Sequence, residues 1–135
     1  MATYKILLAD QDTAMLLVLA LHLRNEEYEV ICAADGESAL AAAKREQPDL
    51  ILVDVGMEIN ERDRLYDQIS DHSELARTPV IYLVGERAVR MGSVPKVPAR
   101  SMIIKPVPTR ELFEKIELAL TRPADRRSVR RQKAA

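Results

Sequence analysis

The sequence predicts an α/β fold, a single parallel sheet doubly wound with helices on both faces, from three observations. The run Asp49-Leu50-Ile51-Leu52-Val53-Asp54 is branched and apolar at consecutive positions, so as a strand it must be buried on both sides, which makes it the central strand of a parallel sheet. Four more short apolar runs, at 4–9, 29–33, 80–84 and 102–104, alternate with helical stretches at a spacing that suits right-handed βαβ crossovers. The length of 135 residues with 47% apolar content suits one domain with an adequate core.

In order along the chain, the run 4–9 ends at Asp10-Gln11-Asp12, where Asp12 is a good N-cap for a helix over 13–25. The strand 29–33 carries the lone cysteine, Cys32, read as a small core residue. Asp35 caps a helix whose Ala39, Leu40 and Ala43 form one stripe, and Pro48 stops it. After the central strand a polar helical stretch covers about 62–76, and Pro79 introduces the strand 80–84. Gly92, Pro95 and Pro98 then interrupt the chain. Interior prolines cost about 3 kcal/mol each in a helix, so 86–91 makes one or two turns and 92–100 is irregular. The strand 102–104 leads into Lys105-Pro106, and Thr109 caps a final helix with Leu112, Phe113, Ile116, Ala119 and Leu120 on one face.

The first helix is apolar all round. With Met15, Val18, Leu19 and His22 toward the sheet, Leu16, Leu17, Ala20 and Leu21 lie opposite, so either the last helix and the tail or a partner helix is expected to cover them. Neither His22 nor His72 sits in a metal-ligand spacing. Charged residues make up 30% of the chain but balance to −1, which gives no general pull toward nucleic acid. The balance hides a tail, 122–135, in which Arg122, Arg126, Arg127, Arg130, Arg131 and Lys133 face one acid, Asp125. The expected organisation is therefore a domain over 1–121 and a basic, disordered tail over 122–135. The longest apolar run, 14–21, is too short to span a bilayer, and an unpaired cysteine suits a reducing compartment, so a cytoplasmic protein is expected.

Five strands with helical connections fit the flavodoxin-like order 2-1-3-4-5, in which ligands gather at the C-terminal strand ends beside the switch point. That order brings Asp10, with Asp12 close behind, next to Asp54, while the loops after strands four and five deliver Val84 and Lys105 to the rim. Crowded carboxylates call for a cation, and Mg2+ favours one or two of them together with water and phosphate oxygens. Lys105 supplies complementary charge for a phosphoryl group. The plainer alternative is a Lys105–Asp54 ion pair that only ties two loops together.

The spaced set Ile6-Leu7-Leu8-Ala9-Asp10-Gln11-Asp12, Ala34-Asp35-Gly36-Glu37-Ser38-Ala39-Leu40, Gln47-Pro48-Asp49 through Asp54, Thr78-Pro79-Val80-Ile81 and Lys105-Pro106 resembles the response-regulator receiver domain of two-component signalling. The resemblance covers 4 to about 121. It implies Asp54 as phospho-acceptor, Lys105 as the cation that pairs with the phosphoryl group, and a magnesium site from Asp10, Asp54 and the Gly56 carbonyl, with Asp12 a further candidate. It also implies no enzyme beyond self-phosphorylation and dephosphorylation. As partner it implies a histidine kinase or phosphotransfer protein, docked at the first helix through Leu16, Leu17 and Leu21.

Four residues depart from the family's pattern. Gln11 stands for a second acid, Val84 for a Ser or Thr that bonds the phosphoryl oxygen, Met102 for the aromatic switch residue, and Glu58 for a proline. The expectation is an atypical receiver acting through protein contacts, with magnesium weakened by Gln11 and Asp54 phosphorylation weak or absent. The alternative is an ordinary Mg2+-dependent phospho-acceptor. A flavin or nucleotide carrier on the same fold is disfavoured, since Asp10-Gln11-Asp12 would repel a phosphate where such proteins carry a Gly-rich loop.

Overall fold

The computed structural model describes residues 3–60 and 62–121. Five strands, β1 (Lys5–Ala9), β2 (Glu29–Ala33), β3 (Leu50–Asp54), β4 (Val80–Val84) and β5 (Met102–Ile104), form one parallel sheet in the order β2-β1-β3-β4-β5. Helices α1 (Thr13–Asn25), α2 (Gly36–Glu46), α3 (Leu65–Asp71), α4 (Glu86–Arg90) and α5 (Thr109–Thr121) fill the crossovers, with a 3-10 turn at Ala99–Ser101. Alternation of side chains across the sheet creates two cores. On one side Ile6, Leu8, Leu50, Leu52, Ile81 and Leu83 meet α1 and α5; on the other Leu7, Ala9, Ile51 and Val53 meet α2 and α3.

Asp12 and Asp35 are the N-caps that the sequence predicts, accepting from Met15 N and Ser38 N. The face of α1 differs. Leu16, Leu19, Ala20 and Leu23 are the buried residues, and Leu17, Val18 and Leu21 face out, so the helix is rotated relative to the expected Met15/Val18/His22 face. Leu23 decides this: a leucine one turn beyond Leu19 and Ala20 completes the stripe that the adjacent sheet and α5 can cover. Cys32 is exposed, not core, because β2 is an edge strand.

Three boundaries also shift. The central strand begins at Leu50, while Asp49 is buried at its foot and accepts the Lys5 N–H at 2.8 Å. Helix α3 is shorter than 62–76, because Asn60 Oδ1 holds the amides of Arg62 and Asp63 in a turn and Glu58 bridges Arg64, so winding starts only at Leu65. Thr109 is the first residue of α5, and the Pro108 carbonyl accepts from Leu112 N, so Thr109 does not cap. Helix α4 spans only five residues and buries none of them, as the prolines predict. The basic tail, 122–135, lies outside the described residues.

Gly36 opens α2 where the β3–α3 loop crosses it. A Cβ there would stand 2.3 Å from the Glu58 carbonyl oxygen and 2.8 Å from its carbon. Helix propensity favours Ala over Gly by at most about 1 kcal/mol. Forcing a backbone aside costs about 1–3 kcal/mol, so the clash wins. Gly36→Ala is expected to lower the urea midpoint, and an unchanged or raised midpoint would show that the 58–59 segment yields freely.

Candidate functional site

The C-terminal ends of β1 and β3 and the residue after β5 meet at the switch point. Asp10, just past β1, is only 1% exposed; its Oδ1 accepts the Asp12 N–H at 2.9 Å, and its Oδ2 lies 2.7 Å from Lys105 Nζ. Asp54, the last residue of β3, accepts the Gly56 N–H at Oδ1 (3.0 Å) and faces Lys105 Nζ at 3.6 Å from Oδ2. Lys105 is placed by its own amide, which donates to the Val84 carbonyl at 2.9 Å, and its peptide to Pro106 is cis. The structure thus brings Asp10, Asp54 and Lys105 together. Burial pushes the Asp10 carboxyl above the ordinary carboxylate range; Lys105 and the Asp12 amide pull it back, and the charge of Asp54 adds to the rise.

Asp12 is exposed and occupied as N-cap, its Oδ1 3.1 Å from Met15 N. Gln11 Nε2 donates to the Gly56 carbonyl at 3.3 Å, the very oxygen that the sequence resemblance assigns to a metal. Val84 ends β4 directly before Gly85, which lines the opening beside Asp54, and is completely buried (0% exposed). Met102 is half-buried and Glu58 is exposed at the cavity wall.

That opening is a cavity of about 440 Å³ lined by Asp54, Lys105, Gln11, Arg64, Arg87 and Ser93 among others. Arg64, Arg87 and Ser93 escaped sequence reasoning. The available signal was that they sit in the connections after β3 and β4, the strands around the switch point, but the turn of 60–64 and the brevity of α4 decide where they end up. Arg64 Nη1 donates to the Val55 carbonyl at 3.1 Å, which fixes its guanidinium beside the loop that follows Asp54.

These residues do not fit a conventional divalent site. Among the described residues no group of three His, Cys, Asp or Glu side chains converges to hold an ion. Asp10 and Asp54 already share the Lys105 ammonium, Asp12 caps α1, and the Gly56 oxygen accepts an amide. Mg2+ demands near-ideal octahedral oxygen ligands and tolerates such competition badly.

A phosphate-carrying cofactor would need donors in the turn after β1. Two carboxylates flank Gln11 there, and the acid of β3 and the lysine past β5 complete a charged cluster at the switch point that suits a receiver-type module, not a cofactor carrier. The response regulator receiver domain model matches residues 6–117, and the chain belongs to that family. The chain is 31% identical over 126 residues to the transcriptional regulatory protein PdtaR of Mycobacterium tuberculosis, covering 87% of this chain and 57% of that protein. Among solved structures, the chemotaxis response regulator CheY4 of Vibrio cholerae superposes with a TM-score of 0.70 at 25% identity, covering 88% of this chain and 100% of that one. A CheY-like receiver domain protein of Methanospirillum hungatei gives 0.65 at 26% identity, covering 88% and 94%. The chain spans from 21% to 57% of the length of curated relatives it matches. Receiver domains interact with histidine kinases or phosphotransfer proteins and generally bind Mg2+ at the phosphorylation site.

Proposed function

We propose that this receiver signals mainly through protein contacts, with Asp54 a weak or silent phospho-acceptor and Lys105 its pairing cation. The observation that carries this reading is the division of charge at the site. Lys105 is drawn onto buried Asp10 at 2.7 Å and stands off Asp54 at 3.6 Å, while the place of a second acid holds the amide of Gln11. In phosphorylation the Asp54 carboxylate oxygen would attack phosphorus as the bond to the donor's leaving atom breaks, an imidazole nitrogen of phosphohistidine or the carboxylate oxygen of an acyl phosphate, and catalysis would consist of positioning and charge stabilisation. A cation held by another carboxylate and a missing metal ligand weaken both. The second reading, an ordinary phospho-acceptor, is favoured by one feature: the cavity beside Asp54 is open and also carries Arg64 and Arg87.

Incubation with a small acyl phosphate and Mg2+, read by intact mass with Asp54→Asn as control, separates the two. The expected result is at most a minor phosphoryl adduct. A stoichiometric, Asp54-dependent adduct would promote the second reading.

For the partner we propose docking on α1, where Leu17 (72% exposed) and Leu21 (62%) are one turn apart and Val18 flanks them. Leu16 is not part of that face: it is 6% exposed and packs into the core. The receiver unit is taken to end at 121, with 122–135 a separate basic tail. Nucleic-acid contact is not part of this reading, nor is membrane contact. No helix among the described residues is long and apolar enough to cross a membrane, and a cytoplasmic setting is proposed.

A further inference from the structure

The four carbonyls from Asp54 to Met57 each accept from a protein donor. Asp54 O accepts from Met57 N at 3.1 Å, Val55 O from Arg64 Nη1 at 3.1 Å, Gly56 O from Gln11 Nε2 at 3.3 Å and Met57 O from Leu65 N at 3.1 Å. Two of these donors are side chains that reach in from elsewhere, Gln11 from the β1–α1 turn, 45 residues away in sequence, and Arg64 from the start of α3. They hold the loop from opposite sides. A divalent ion bridging Asp10, Asp54 and the Gly56 oxygen would do the same job by electrostatic attraction.

We propose that Gln11 is a built-in substitute for the divalent cation: its amide, with the Arg64 guanidinium, fixes the loop over 55–57 in the metal's absence and makes the loop's geometry independent of Mg2+. This rests on the family membership of the chain but not on whether Asp54 is phosphorylated. A primary amide suits the role because its N–H₂ presents positive hydrogens to the carbonyl without adding net charge beside Lys105. An Asp at 11 would instead present a negative carboxylate, with no donor, to the Gly56 oxygen and need a cation between them. Gln11 is a positioning residue in this arrangement. It holds the peptide plane that carries the Met57 N–H, while Arg64, through the Val55 carbonyl, holds the plane whose Gly56 N–H points at Asp54 Oδ1, 3.0 Å away.

The test uses Mn2+ as probe and two backbone readouts, paramagnetic broadening of the Gly56 and Met57 amides and their hydrogen-exchange rates. In the unmodified chain Mn2+ should leave both nearly untouched. Gln11→Ala should accelerate exchange at Met57 without creating a metal response. Gln11→Asp should also accelerate it, bind Mn2+ roughly tenfold to hundredfold more tightly than the unmodified chain, and recover slow exchange when Mg2+, which leaves the amide signals sharp, is added. Recovery by metal is the signature, since a merely structural glutamine would not be replaceable by an ion. Broadening of the unmodified chain at the same Mn2+ concentration as Gln11→Asp would overturn the proposal, as would unchanged exchange in Gln11→Ala. Phosphorylation by an acyl phosphate that persists in EDTA would defeat the weak-acceptor reading and leave this inference standing.

Discussion

Beryllofluoride, a phosphoryl mimic, is expected to leave the backbone chemical shifts of residues 86–105 almost unchanged in the unmodified chain, whereas Val84→Thr should restore part of a response. A two-state element moves only as far as a ligand distinguishes its two states. Val84 offers no hydrogen bond, and a bond to a charged group is worth about 1.5–3 kcal/mol, or roughly a tenfold to hundredfold population shift. Burial sharpens the expectation. Because Val84 is fully enclosed, a Thr hydroxyl there begins unpaired and should cost about 1–3 kcal/mol in stability, most of it regained when the mimic supplies an acceptor. On the proposal that Gln11 weakens magnesium, which the mimic needs, the comparison is cleanest between Gln11→Asp and the Gln11→Asp/Val84→Thr pair. A large saturable shift in the unmodified chain would show the conventional switch to be intact.

Lys105→Met is expected to destabilise the chain by about 2–4 kcal/mol at neutral pH, because it strands the buried Asp10 and its neighbour Asp54 without their shared cation. The pH dependence gives the sign. The Asp10 carboxyl in the folded chain titrates above its ordinary value of 3.8, so the native state holds that proton more tightly than the unfolded chain does. Its contribution to stability is full below 3.8 and declines as pH rises through the raised folded value. Removing Lys105 raises that value further and widens the window. Lys105→Met should therefore be nearest the unmodified chain in acid and fall behind as pH increases, measured by urea denaturation in a chelating buffer. The double variant Asp10→Asn/Lys105→Met should recover most of the loss. A pH-independent deficit would assign the effect to lost packing of the lysine stem.

The sequence by itself determined the layered α/β fold, because a strand apolar at Leu50, Ile51, Leu52 and Val53 has one kind of place in a sheet, and five alternating strands fit the flavodoxin-like order that the sheet shows. It also foretold the short α4, since proline removes helical hydrogen bonds whatever surrounds it. The meeting of Asp10, Asp54 and Lys105 followed from strand ends in the same way. Tertiary structure alone decided what each position faces. Periodicity showed that α1 is apolar all round and could not choose between two stripes; the sheet and α5 chose Leu16, Leu19, Ala20 and Leu23. Cys32 sits in an apolar run yet is exposed, because strand pattern says nothing about being at an edge. Val84 ends β4 fully buried, an enclosure that its strand pattern alone could not set. The Gln11–Gly56 and Arg64–Val55 hydrogen bonds join loops distant in sequence, and local propensity carries no term for the partner a polar side chain finds across such a gap.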